Sequence, residues 1–288
     1  MTAERVLVVV PTYDERANLP TLVAGVRHHA PHVDVLVVDD ASPDGTGDVA
    51  DALSADDPQV FVLHRAGKQG LGTAYLAAFA WALEREYTVV VEMDADGSHR
   101  PQDLPGLLAP LDAAAPPALV LGSRWVPGGA VVNWPRHREW LSRGGNTYVR
   151  LALGLRLGDA TGGFRAFRAD TLRGLDLAGV ASQGYCFQVD MAWRVAQSGG
   201  RIVEVPITFV ERTAGESKMS RRIVQEALWK VTAWGVSRRA GQLRRSVLSS
   251  RRAAPPQTAA QPHTTPQSHT TSQPQTTAPP PSDGGQGR

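Results

Sequence analysis

The chain has 288 residues, of which 42% are apolar, and a formal net charge of +2. That length fits one large α/β domain, or a domain of about 230 residues followed by a tail. A charge so near neutrality argues against a polyelectrolyte built for nucleic acid. The single cysteine, Cys186, excludes an intramolecular disulfide and any cysteine-based zinc site.

The first apolar run, Val6 to Val10, is too short for a signal-peptide core or a membrane span. No later stretch reaches about 18 uninterrupted apolar residues. These features predict a cytoplasmic protein, soluble or peripheral to a membrane. Val6–Val10 reads as a buried strand. Asn18 is placed to cap a helix with Pro20 in its first turn and Leu22, Val23 and Val26 on one face. Strands are predicted at Val33–Val38, Val60–Leu63, Thr88–Met93 and Ala118–Leu121, with an Ala-rich helix at Thr73–Arg85. Continuous apolar strands suit a sheet covered on both faces, and their alternation with helices predicts a mostly parallel α/β sheet flanked by helices. Residues 134–163 are basic and Gly-rich. A helix is expected at Met191–Ala196, a strand at Ile202–Phe209 and an amphipathic helix at Arg221–Val236. The predicted organisation is a folded domain over 1–237, a basic linker over 238–252, and a disordered Pro/Gln/Thr-rich tail over 253–288.

In a parallel sheet, ligands bind beyond the carboxyl ends of the strands. Here those ends carry acidic clusters: Asp14-Glu15, Asp39-Asp40 and Asp94-Ala95-Asp96. Two carboxylates one residue apart suit a hard divalent cation, Mg²⁺ or Mn²⁺, completed by phosphate and water oxygens. Alone, the same triplet also fits a solvated turn. Asp39-Asp40 fits either a nucleobase acceptor or a turn with Ser42-Pro43-Asp44-Gly45. The glycines of Gly67–Gly72 lack Walker spacing and read as a tight start that lets a helix pack closely on the sheet. Arg136, Arg138 and Arg143 fit phosphate binding or a solvated helical face. The apolar face of 221–236, with the arginines that follow it, fits either a helix on an anionic membrane or core packing before a basic linker.

Taken in order, these motifs resemble the family-2 glycosyltransferases, and more narrowly the dolichol- or polyprenol-phosphate mannose synthases. The likeness spans about Val6 to Val236. It rests on Pro11–Glu15, Asp39-Asp40 with Ser42–Thr46, Gly70–Tyr75, Met93–Asp96 with Ser98-His99, Gly122-Ser123-Arg124, Thr161–Arg165, Gly184-Tyr185 with Phe187-Gln188, Glu204–Ile207, and Phe209, Arg212, Gly215, Ser217 and Lys218. The resemblance implies a GT-A fold and transfer of mannose from GDP-mannose to a polyprenyl phosphate, with inversion. It places Pro11, Tyr13, Glu15, Val38 and Asp40 at the nucleoside. Asp94, Ala95 and Asp96 would lie at the diphosphate, with Asp94 and Asp96 on the metal. Arg212 and Lys218 would close over the nucleotide. Arg124, Arg138 and Ser142 would receive the acceptor phosphate, and Asp96 and Arg124 would carry the catalytic burden. The implied partners are GDP-mannose, a lipid acceptor, and a membrane surface or a membrane-anchored protein, with no nucleic acid. A donor such as UDP-glucose, or a non-catalytic nucleotide-sugar-binding module, are the alternative readings.

Overall fold

The computed structural model describes residues 4–180, 182, 184–211, 228–237 and 239. Arg212, Lys218, the tail at 253–288 and all of the basic linker except Arg239 lie outside the described residues.

Strands β1 (Val6–Thr12), β2 (Asp34–Asp39), β3 (Val60–His64) and β4 (Val89–Glu92) form where the apolar runs stand in the sequence. Helices α1 (Leu19–His29), α2 (Thr46–Asp56) and α3 (Leu71–Glu84) connect them. A short helix α4 (Leu104–Leu108) leads to β5 (Leu119–Ser123). Then come β6 (Ala130–Val132), α5 (Arg136–Leu153), β7 (Arg165–Arg168), α6 (Ala169–Gly174), α7 (Tyr185–Gln197), β8 (Ile202–Pro206) and β9 (Thr208–Val210). Residues 228–237 are helical.

Among the described residues the main sheet has seven strands in the order β3–β2–β1–β4–β7–β5–β8. All pair in parallel except β7, which is antiparallel to both β4 and β5. Strand side chains alternate between faces. Leu7, Val9, Leu36, Val38 and Val90 therefore pack with α3 and α7 on one face. Val6, Val8, Val10, Val35, Val37, Val89 and Val91 pack with α1 and α4 on the other. The sheet is thus buried on both faces, and the mostly parallel, helix-flanked architecture is GT-A-like.

Several elements differ from expectation. Asn18 stands at the first turn of α1 but makes no side-chain cap; its Nδ2 donates to Glu15 Oε2 at 2.8 Å instead. The expected strand over 202–209 breaks at Ile207 into β8 and β9. β8 joins the main sheet, while β9 pairs with β6 in a separate two-stranded ribbon. The basic Gly-rich region contains an 18-residue helix, α5. The helix expected at 191–196 begins earlier, so Phe187 and Gln188 belong to α7. Gly72 permits close packing as expected, but against α7 rather than the sheet. A Cβ there would lie 2.8 Å from the Phe187 ring and 2.9 Å from the Ser182 carbonyl.

Overpacking of this kind costs about 1–3 kcal/mol. Gly72→Ala should lower stability by that order in denaturant melts, although alanine favours helix elsewhere. A second expectation concerns Glu92, which faces Arg165 in the β4–β7 register; both are fully buried. Burial pushes the Glu92 carboxyl from the ordinary 4.5 up to about 8, against the pull of the Arg165 charge. Between those values the folded chain holds a proton that the unfolded chain releases. The contribution is complete at low pH and is lost as pH rises through about 8. Tm should therefore fall between about pH 5 and about pH 8 and level off above that, and Glu92→Gln should flatten that fall.

Candidate active site

Strands β1 and β4 are neighbours, yet the chain leaves β1 toward β2 and β3 on one side and continues from β4 toward β7 on the other. Such a switch point opens a crevice at the carboxyl ends. The segment after β4 fills it. Gly97 takes a positive φ of 77° in the turn Asp94–His99. Asp96 Oδ1 accepts from the Ser98 backbone N–H at 3.1 Å and from the Ser98 hydroxyl. The Asp94 N–H donates to His99 Nδ1 at 3.0 Å. With Nδ1 accepting, the ring proton belongs on Nε2, which lies 3.9 Å from Asp94 Oδ2. His99 is 1% exposed, stacked on Phe164 and edge-on to Phe209. The Tyr75 hydroxyl lies 3.5 Å from Asp94 Oδ1. Burial, reinforced by the charges of Asp94 and Glu92, holds the Tyr75 pKa far above its ordinary value. The phenol thus remains a donor toward Asp94.

The opposite wall is basic. Arg124, at the end of β5, is 5% exposed. Its Nε and Nη2 donate to the two Asp159 oxygens at 2.6 and 2.7 Å, and its backbone N–H reaches Asp159 Oδ2 at 3.1 Å. Burial works to raise the Asp159 carboxyl, but the Arg124 charge and hydrogen bonds outweigh it and hold the pKa below the usual range. Glu204, on β8, fixes the same loop by accepting from the N–H groups of Gly158 and Asp159 at 2.7 and 2.8 Å. Arg165 ties the loop's other end to the core through the carbonyls of Gly162, Ala160 and Gln188. Arg138 comes from the first turn of α5. It lies over the Trp134 ring and donates to both carboxylate oxygens of Glu211.

These two walls enclose one cavity. Asp94, Asp96, Ser98 and His99 line one side. Arg124, Arg138, Trp134, Thr161, Gly163, Phe209 and Glu211 complete it. Among the expected site residues, Asp94, Asp96, Arg124 and Arg138 are brought together. Ser142 is half-buried and does not line this cavity; its carbonyl accepts from Asn146.

The expected nucleoside group sits at the neighbouring ends of β1 and β2, where Pro11 is in register with Val38 and Thr12 with Asp39. Asp39 is the loop-fixing member of its pair, accepting from Thr12, from the Ser42 backbone and from the Ser42 hydroxyl. Asp40 is paired with Arg65 at 2.7 Å, and Arg65 also reaches Thr73 at 2.9 Å. A base N–H would share Asp40 with that arginine. Tyr13 carries the Lys68 ammonium 3.7 Å above its ring, and the Glu15 N–H donates to Thr46. Ala95 is buried between the two aspartates.

His99, Trp134, Asp159, Thr161 and Glu211 were not singled out as site residues by the sequence. Only the adjacency of Ser98-His99 to the aspartates, and the stretch Asp159–Arg165 as a constrained turn, structural or catalytic, marked any of them. Among the described residues, no group of three or more His, Cys, Asp or Glu side chains could hold a metal unaided. Two hard oxygen donors facing an open cavity nevertheless fit a Mg²⁺- or Mn²⁺-type ion that takes its remaining ligands from phosphate and water.

Residues 7–175 match the family described as glycosyl transferase family 2. The chain is 58% identical over 240 residues to undecaprenyl-phosphate mannosyltransferase of Micrococcus luteus, covering 83% of this chain and 98% of that protein. It is 53% identical over 242 residues to polyprenol monophosphomannose synthase of Mycolicibacterium smegmatis, covering 84% and 91%. A crystal structure of glucosyl-3-phosphoglycerate synthase from Mycobacterium tuberculosis, with Mn²⁺, UDP and glucosyl-3-phosphoglycerate, superposes with a TM-score of 0.60. It shares 20% identity and covers 82% of this chain and 80% of that one, a likeness of fold. The chain therefore belongs to glycosyl transferase family 2, on the branch that holds the polyprenol-phosphate mannosyltransferases.

Proposed function

We propose that the protein transfers mannose from GDP-mannose to a polyprenyl phosphate, giving polyprenyl-phosphate mannose and GDP with inversion at the anomeric carbon. The observation that carries this reading is the convergence of Asp94 and Asp96 with Arg124 and Arg138 in one cavity. The names of the relatives support the mannosyl and polyprenyl parts. The donor base and the inversion follow from the family resemblance.

Both reactants are anionic, so charge is the obstacle. A phosphate nucleophile is already ionised near neutrality and demands no strong general base. Asp94 and Asp96 would hold a divalent ion, which when bound neutralises the departing diphosphate. Arg124 and Arg138 would hold the acceptor phosphate in line with the anomeric carbon. Asp159 keeps the Arg124 fork at a fixed angle. Arg212 and Lys218 are assigned to the nucleotide, and Pro11, Tyr13, Glu15, Val38 and Asp40 to the nucleoside. Glu211 occupies Arg138 as a second anion, which the acceptor phosphate must displace.

Transfer of labelled mannose from GDP-mannose to a short-chain polyprenyl phosphate in detergent tests the reading. Product that disappears on chelation and returns with Mg²⁺ or Mn²⁺ is expected. Transfer from UDP-glucose alone would overturn the donor assignment. Asp96→Asn should lower kcat by at least about a hundredfold with an unchanged melting curve; near-normal turnover would remove Asp96 from the site. Arg138→Gln should raise the acceptor KM by about tenfold or more, whereas Glu211→Gln should lower it. An acceptor KM unmoved by either change would dissociate this ion pair from acceptor binding.

A further inference from the structure

Arg124 and Arg138 line one cavity, and two guanidiniums so placed repel each other. Each is held by a carboxylate, Arg124 by Asp159 and Arg138 by Glu211. A carboxylate has a drawback at a site for phosphate. It occupies the same N–H donors that the phosphate needs. An aromatic ring does not. It attracts a guanidinium through the negative face of its π-system and leaves the donors to others.

The cavity contains such a ring. Half-buried Trp134 has the Arg138 guanidinium carbon 4.3 Å from its ring centroid and that of Arg124 5.3 Å away. Arg124 also stands 5.5 Å from the Trp125 ring and 5.3 Å from that of Phe209. Trp134 is thus the ring that the two arginines share. Its position is braced by other rings. Phe209 meets it at 5.4 Å and 75°, and Trp125 at 6.3 Å and 64°, both edge-to-face. Phe209 is in turn edge-on to His99, at the end of the Asp94–His99 turn.

We propose that Trp134 is a positioning residue, whose ring holds Arg138 beside Arg124 as the two arms of one receptor for the acceptor phosphate. That this phosphate belongs to a polyprenyl lipid rests on the function proposed above. The ring matters most when Glu211 leaves Arg138. It then keeps the guanidinium in place while the N–H donors turn to the phosphate. The residue type suits this task. An aliphatic side chain of similar size would fill the space without attracting either arginine. A carboxylate would attract both and repel the ligand.

The test replaces Trp134 alone by successively more heavily fluorinated tryptophans, which keep the ring's shape and drain its negative face. The probe is farnesyl phosphate, with its Kd measured by calorimetry on the full chain and farnesol as control. The Kd should rise stepwise, by about tenfold across the series, with Tm unchanged. Trp134→Leu should weaken binding at least as much, and Trp134→Phe less. In transfer assays the acceptor KM should follow the same order while the GDP-mannose KM stays fixed. A flat series, or no binding by wild type, would overturn the proposal. So would a parallel loss of farnesol binding, which would set the ring against the prenyl chain. A rise in the GDP-mannose KM instead would make the ring a sugar platform and overturn it equally. A wild type that binds farnesyl phosphate with this dependence, yet transfers no mannose, would remove the proposed reaction and leave the receptor standing.

Discussion

The site depends on one ion pair sealed from water. Asp159 is fully buried and Arg124 nearly so, and the two meet through paired hydrogen bonds with a third from the arginine backbone. Removing either partner would strand an uncompensated charge in a low-dielectric interior, a loss of about 3–5 kcal/mol. The pair joins β5 to the loop before β7, and Glu204 and Arg165 fasten the remainder of that loop. The basic wall of the cavity is consequently held in place before any ligand arrives. Preorganised charge of this kind stabilises a charged transition state without reorganising during the reaction.

Much of the fold is legible in the sequence because continuous apolar runs such as Val6–Val10 and Thr88–Met93 leave a strand little choice but full burial. The convergence of carboxylates follows from the same pattern, since each run ends in acidic, turn-forming residues. Other features depend on contacts distant in sequence. β7 is only four residues long and carries two arginines; its place between β4 and β5 becomes intelligible once Glu92 is seen opposite Arg165. The 202–209 run reads as one strand because Ile, Val, Thr and Phe dominate it, although Pro206 stands where it divides. The break at Ile207 arises when β9 pairs with β6. Ile207 itself packs against Gly122, where an added Cβ would lie 2.9 Å from it.

The arginines show the same limit at the level of chemistry. Sequence marks Arg124 and Arg138 as phosphate binders through residue type and motif, but it cannot show their counter-ions. Asp159 is 35 residues from Arg124, and Glu211 is 73 from Arg138. Asp40 has a similar history: its motif points to a nucleobase, while the folded chain gives it Arg65, 25 residues away. In each case the sequence identifies a charged group and the tertiary structure supplies what that charge already holds.

The break at Ile207 has an electrostatic consequence. By turning the chain toward β6, it brings Glu211 into the cavity, where Asp94 and Asp96 already stand. Counting formal charges on the lining side chains, three carboxylates face two guanidiniums, Arg124 and Arg138. An anionic sugar nucleotide approaching alone meets a rim of its own sign; the same molecule carrying a cation does not. On the proposed function, the fold would favour arrival of the cation first or together with the donor, with Glu211 leaving Arg138 only when the acceptor phosphate competes for it.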